Sequence, residues 1–345
     1  MKIMRFFKTL PKNNRGIALL ITLSVMTIII AFGLELSQSV RATLISVASG
    51  HRDRMTLSYM AAGGIQVTMG LLAKNKELDA VNAIQEDFMI SDAITDAMES
   101  IPFENGKLSI QVIDEKAKIQ INALFKDGKE VGDQMNLLHN FLLPRIEKDK
   151  KNSMEISSVI DRIIERLDPS DDRVSLGQSK DKTGKGPFID LGELTQIKGV
   201  TPELIRSMGG FEELSKNITV YGGTSPTGAG SAPTGDSKKK NVIYDGKINI
   251  NTAELPILTA LVGDPKVAED IYKFREEMKD DQYVPDWYRQ FPLNQNVITN
   301  ISDFFRIEAT ATMNDVKLKA AAVVHREQNK KTGKWTCKIL SWQTS

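Results

Sequence analysis

The chain has 345 residues, with 45 Lys+Arg against 44 Asp+Glu and a formal net charge of +1. So even a balance steers the molecule as a whole toward neither nucleic acid nor an acidic substrate. Cys337 is the single cysteine, which excludes an intramolecular disulfide, and His51, His139 and His325 are too scattered to support a histidine-rich metal site. The length allows one large or two ordinary domains beyond any membrane helix. No G-x-S-x-G elbow, H-E-x-x-H pair or P-loop occurs, so the chain is expected not to be an enzyme.

Lys2, Arg5, Lys8, Lys12 and Arg15 precede the apolar stretch Gly16 to Leu36, in which Gly16 to Leu34 holds no charge. About 19 residues at ~1.5 Å each make roughly 28 Å of helix, enough to cross a bilayer core. The basic residues place the N-terminus in the cytoplasm and export the remainder. A signal peptide or plain anchor is one reading, but Ser37-Gln38-Ser39-Val40-Arg41-Ala42 fits a signal peptidase site poorly. The junction Arg15-Gly16-Ile17 resembles the class III leader of type IV pilins and pseudopilins. That resemblance implies cleavage after Gly16 by prepilin peptidase, with Ile17 as the N-methylated mature terminus. The leader is then 1–16 and the membrane-spanning part 17–36. Pilins usually carry Glu at the fifth mature position, here Ile21. Its absence is similar to the K minor pseudopilin of type II secretion, and implies a subunit lacking the usual partner for the one ahead.

Val40, Leu44, Val47, Ile65, Met69 and Leu72 continue at helical spacing. A helix from Ile17 to about Leu72 would be ~84 Å long, with bends possible at Gly50 and Gly63-Gly64. Asn75 to Ser100 is also patterned as helix. Leu108, Ile110 and Val112 alternate as a strand, and Ile119 and Ile121 repeat the signal after a turn at Asp114-Glu115-Lys116. Ile113 to Asn122 resembles the DE-x-G-K-I-N-L-N signature of K-type pseudopilins. Lys118, Ile119, Ile121 and Asn122 match it, while Ala117 and Gln120 depart from it.

Helical patterning dominates from about Gln134 to Gly210. Val159 to Leu167 runs into Asp168-Pro169-Ser170-Asp171-Asp172. Asp168, Asp171 and Asp172 are candidate Ca²⁺ ligands, since carboxylates on a loop suit that ion; a solvated helix terminus with an Asx turn accounts for them equally well. The resemblance implies calcium in this part of K-type proteins, but the acidic continuation usual there is replaced by basic, Gly-rich Gly177 to Pro187. Gly222 to Lys240 has the composition of a flexible loop.

Lys247 to Leu261 carries the strongest soluble motif. Ile248 and Ile250 alternate, Asn251 or Thr252 stands ready to cap the next helix, and Leu255, Leu258 and Leu261 form an apolar stripe. Ile248, Asn249, Asn251, Thr252 and Ala253 resemble the I-N-x-N-T-A phrase of K-type pseudopilins. The same residues also resemble the helix-hairpin-helix of DNA-uptake proteins, which leaves a membrane-anchored DNA receptor as the alternative. Its turn, Val262-Gly263-Asp264-Pro265, is poorly made for phosphate, because Asp264 repels it and Pro265 has no N–H to donate. A second helix spans Lys266 to Met278. Alternation returns at Phe305–Ala309, Val316–Ala320 and Trp335–Ile339.

The expected fold is α+β: a pilin-like long N-terminal helix packed on an antiparallel sheet, interrupted by a large helical insertion. The stem and first strands occupy 37–122. The insertion occupies 123–303, as two SAM-like parts near 123–222 and 245–303, and the closing strands occupy 304–345. The resemblance implies a minor pseudopilin at a pseudopilus tip, single-pass in the inner membrane with a periplasmic domain. Its implied partners are the I and J minor pseudopilins, with H and the major pseudopilin as further candidates.

Overall fold

The computed structural model describes residues 14–78, 106–146, 153–168, 186–197, 199–224, 242–278, 286–314 and 316–345. The chain divides into two compact units, Met1–Thr56 and Leu57–Ser345. Helix α1, Asn14–Leu78, runs without interruption through Gly50, Gly63 and Gly64. Within the first unit its apolar side chains are exposed, Ile17 to 60% and Phe32 to 64%. Thr22 and Thr27 donate to the carbonyls of Leu19 and Ser24 at 2.9 and 2.8 Å, so these hydroxyls need no water. By length and composition this helix can cross a membrane. The helix expected within Asn75 to Ser100 lies largely outside the described residues.

In the second unit four strands form one antiparallel sheet in chain order: β1 Gly106–Asp114, β2 Phe304–Met313, β3 Val316–Gln328 and β4 Trp335–Thr344. Strand β1 thus pairs with a strand made nearly two hundred residues later, from Gly106 against Met313 to Asp114 against Phe305. Period-two alternation puts Phe305, Ile307, Ala309 and Ala311 of β2 and Ala320, Ala322 and Val324 of β3 on one face. Leu57, Met60, Ala61, Ile65 and Leu72 of α1 bury against them. The alanines let the helix sit close. At Gly64 a Cβ would come within 2.7 Å of both Leu108 Cδ2 and Ile110 Cδ1 of β1, so the absent side chain admits those two.

Between β1 and β2 lies the helical insertion: α2 Gly132–Ile146, α3 Ser153–Leu167, α4 Pro202–Ser207, α5 Gly210–Asn217, α6 Leu255–Val262 and α7 Pro265–Glu277. Its two parts share one apolar core, which runs from Leu138, Phe141 and Ile160 through Ile218 to Ile257, Ile271 and Trp287. A two-residue parallel bridge closes each part. Ile119–Gln120 pairs with Ile218–Thr219, and Ile248–Asn249 with Ile298–Thr299. Ile119 and Ile121 therefore do not extend the sheet as their alternation predicts. They enter the core of the insertion, and a 3₁₀ turn, Ile121–Leu124, follows at once. Gly223–Thr224 pairs with Ile243–Tyr244, and residues 225–241 between them are outside the described set.

Candidate functional site

The end of β1 carries Asp114 and Glu115 into the junction of sheet and insertion. Both are buried, to 7% and 1% exposure. Asp114 Oδ2 accepts from Asn249 Nδ2 at 2.8 Å and Thr252 Oγ1 at 2.6 Å; Oδ1 accepts from the backbone N–H of Lys116 at 2.7 Å and from the Ser302 hydroxyl. Burial pushes its pKa above the ordinary carboxylate value, although all four donors oppose the shift. Glu115 Oε1 accepts from Lys118 Nζ at 3.0 Å and Arg306 Nε at 2.7 Å, and Thr219 donates to Oε2. Burial alone would raise this pKa too, but Lys118 and Arg306 together with the hydrogen bonds hold it below the ordinary range.

These two adjacent carboxylates gather donors from the sheet and from both parts of the insertion. Ser302 and Arg306 flank or belong to β2, Thr219 closes the first part of the insertion, and Asn249 and Thr252 open the second. Arg326 of β3, 1% exposed, extends the junction toward α1. It donates to the Leu72 carbonyl at 3.2 Å and to the Ser302 carbonyl at 3.0 Å.

Of the signature residues, Lys118 meets Glu115, and Asn249 and Thr252 meet Asp114, while the others bond elsewhere or enter the core. Asn122 gives Nδ2 to the carbonyls of Phe188 (3.0 Å) and Val220 (2.9 Å), and its Oδ1 accepts the Phe188 N–H at 2.7 Å. Ile119, Ile121, Ile248 and Ala253 are buried in the insertion core. Asn251 and Thr252 do not cap α6: Glu254 is the N-cap residue and supplies no side-chain bond. Asn251 accepts from Trp287 Nε1 at 3.0 Å, and Thr252 is drawn to Asp114. Of the predicted stripe, Leu258 is buried and Leu255 and Leu261 pack partly buried against the same core, with Ile257 and Ala260 buried beside them. Ser302, Arg306 and Arg326 join the site without a motif of their own. Arg306 does lie on the polar side of an alternating strand, the position from which a long cation reaches a neighbouring element.

Gly16 and Ile17 stand in the first turns of α1. Asp168, half-buried, ends α3 with its N–H on the Ile164 carbonyl at 2.9 Å, while Asp171 and Asp172 lie outside the described residues. Among the described residues no group of three His, Cys, Asp or Glu side chains is placed to hold a metal ion. Cys337 packs partly against the core beneath α1, and burial raises its thiol to about 11.

No protein-family model matches the chain, and no curated protein sequence does. Among solved structures it is similar to a chain in the crystal structure of the GspK-GspI-GspJ complex from the enterotoxigenic Escherichia coli type 2 secretion system. The two are 12% identical with a TM-score of 0.54, over 86% of this chain and 99% of that one. The likeness is one of fold.

A cleft of about 890 Å³ borders the carboxylate junction, lined in part by Lys118, Lys216, Arg306, Glu308 and Lys319. These charges are spent within the protein, as Lys216 on Glu212 (3.3 Å) and Lys319 on Glu308 (2.9 Å). In the α6–α7 turn the Asp264 carboxylate accepts the Lys266 N–H at 2.9 Å, so an anion already occupies the place a nucleic-acid phosphate would take.

Proposed function

We propose that the chain is the K-type minor pseudopilin of a type II secretion system and has a structural, non-catalytic role. It sits at the pseudopilus tip, where it starts and caps assembly with the I and J minor pseudopilins and supports export of folded proteins across the outer membrane. The observation that carries this reading is the likeness of fold, over 86% of this chain, to a chain of the GspK-GspI-GspJ complex. Two features of the sequence add support. Ile21 removes the acid that would serve a subunit above, and an insertion of this bulk would crowd the side of a filament.

On this reading prepilin peptidase cuts after Gly16, and Ile17 becomes the N-methylated terminus. The chain is then single-pass in the inner membrane, with the second unit in the periplasm. Intact-mass and N-terminal analysis of the protein from membranes of cells holding prepilin peptidase tests the processing. Co-purification with co-expressed I and J subunits tests the assembly. A mature chain starting at methylated Ile17 that brings both subunits is expected. A chain starting at Met1 or beyond Leu36, or one that brings neither subunit, overturns the proposal. Salt-dependent DNA binding by the same protein would replace it with the DNA-receptor reading, which the occupied α6–α7 turn argues against.

A further inference from the structure

Strand β1 forms one edge of the four-stranded sheet, with β2 as its neighbour on the inner side. The pairing keeps its register without a break over nine residues, Gly106 to Asp114. An antiparallel strand turns the backbone groups of alternate residues toward its neighbour and the rest away from it. On β1 the second set faces outward. Among the described residues, nothing beyond the β2 ladder bonds the N–H or carbonyl of any residue from Lys107 to Ile113. The other edge, β4, is blunted by a register shift between Val323 and Val324 and by Lys338 in mid-strand. β1 has no such shift, and its single charge before Asp114 is Lys107 at its start. A long, regular, open edge is a template for another strand.

The cleft of about 890 Å³ lies along this edge, since Gln111, Val112, Ile113 and Asp114 all line it. Successive side chains of a strand point to opposite faces, so a cleft that touches four residues in a row runs beside the strand. The insertion supplies the remaining wall, with Lys216 of α5, Pro256 of α6 and Tyr272 of α7. Its size falls among ligand pockets, which span roughly 300–1,000 Å³. The lysines and Arg306 around it are held by carboxylates of the protein: Lys118 and Arg306 by Glu115, Lys319 by Glu308, Lys216 by Glu212. The cleft is therefore built for neither a small anion nor a small cation. What it leaves unmatched is main chain, and the ligand that matches a strand edge is another extended main chain.

We propose that this cleft binds an extended polypeptide segment, which adds to the sheet as a fifth strand outside β1 and is read chiefly through its main chain. The outward N–H and carbonyl groups of β1 supply the ladder, and half-buried Pro256 and Tyr272 offer apolar surface to side chains that point into the cleft. At ~3.3 Å per residue, a segment of about four to six residues spans the stretch from Gln111 to Asp114. Such a site stands independently of the assembly proposed above.

The test presents the full chain in nanodiscs to a phage-displayed library of random octapeptides. A selected sequence is then synthesised and its binding measured by fluorescence anisotropy. N-methylation of alternate residues removes the N–H groups along one edge of an extended peptide. One of the two alternating sets should weaken binding at least about tenfold, and the other should change it little. The photoreactive residue benzoylphenylalanine at Gln111 should give an adduct with the bound peptide. Lys216→Trp, which fills the cleft from an exposed helical position, should exclude the peptide with the unfolding midpoint unchanged. Selection of no binder overturns the proposal, as does a peptide indifferent to which set is methylated or one that forms no adduct at position 111. An adduct from position 111 to residues 79–105 of the same chain, formed without peptide, means that the chain itself takes the edge, and overturns it too.

Discussion

Arg306 on β2 donates its Nε to Glu115 at 2.7 Å, and Lys118 reaches the same oxygen at 3.0 Å from the opposite, insertion side. One carboxylate thus holds two cations that belong to different parts of the fold. Glu115 is wholly buried, and Lys118 is 5% and Arg306 25% exposed at the side chain. Glu115→Gln is expected to destabilise the chain by about 3–5 kcal/mol, because it strands Lys118 with its charge buried. Chemical denaturation of the detergent-solubilised protein measures it. Arg306→Met should cost less, since that guanidinium retains some solvent, and the double variant should show clear coupling with Glu115→Gln.

Asn122 satisfies two carbonyls and one N–H in a site from which water is excluded. Asn122→Ala should cost roughly 2–4 kcal/mol as those backbone groups lose partners. Asn122→Asp should not rescue it, because a carboxylate cannot donate to the Phe188 and Val220 carbonyls. Equilibrium unfolding of both variants distinguishes a hydrogen-bonding role from mere shape.

The paired glycines of α1 should respond oppositely. A Cβ at Gly63 meets nothing within 4 Å, so Gly63→Ala should stabilise by about 0.5–1 kcal/mol through helix propensity. At Gly64 the same atom crowds Leu108 and Ile110, so Gly64→Ala should lose that gain, and Gly64→Leu should cost about 1–3 kcal/mol through overpacking. Thermal midpoints compared within the one pair decide it.

His325, 3% exposed, lies against Phe304 with the two rings tilted at 41°, and its Nδ1 lies 3.4 Å from Glu327. Burial lowers its pKa; Asp303 and Glu327 oppose the shift, and Lys116 adds to it. With the folded value depressed, the unfolded chain takes up the proton first. Stability from the neutral ring is therefore full above about pH 6.5 and declines as pH falls through that value toward the folded pKa. Unfolding midpoints measured between about pH 7.5 and 5.5 should fall more steeply for the parent than for His325→Gln.

The elements that sequence revealed are those whose pattern is local. The charge-free stretch after Arg15 and the alternation in β1 to β4 each report one surface, and each became the element expected. Ile119 and Ile121 show the limit, because two alternating residues look alike in a sheet and in a two-residue bridge to a buried core. Asn251 and Thr252 have the chemistry of caps, but Trp287 and Asp114 compete for them from distant positions in the chain, and no local signal carries that. The recruitment of Arg326 to the carbonyls of Leu72 and Ser302 follows only from the register of β2 on β3. Lys118, Asn249 and Thr252 stand in the motif phrases, but no local signal marks them as the partners of two buried carboxylates.

The pairing of β1 with β2 also sets an order of events in synthesis. At roughly 5–20 residues per second, β1 waits about 10–40 s for its neighbour to be made. Closing a flexible loop of that length costs about 5 kcal/mol in chain entropy, apart from a constant. The insertion shortens the wait in space, if not in time. Its two parallel bridges hold Ile119 near Ile218 and Ile248 near Ile298, so once both have formed, the newly made β2 emerges already close to β1. A large insertion thus becomes a splint for the sheet it interrupts, and lesions in its core should appear first as slow or failed strand pairing.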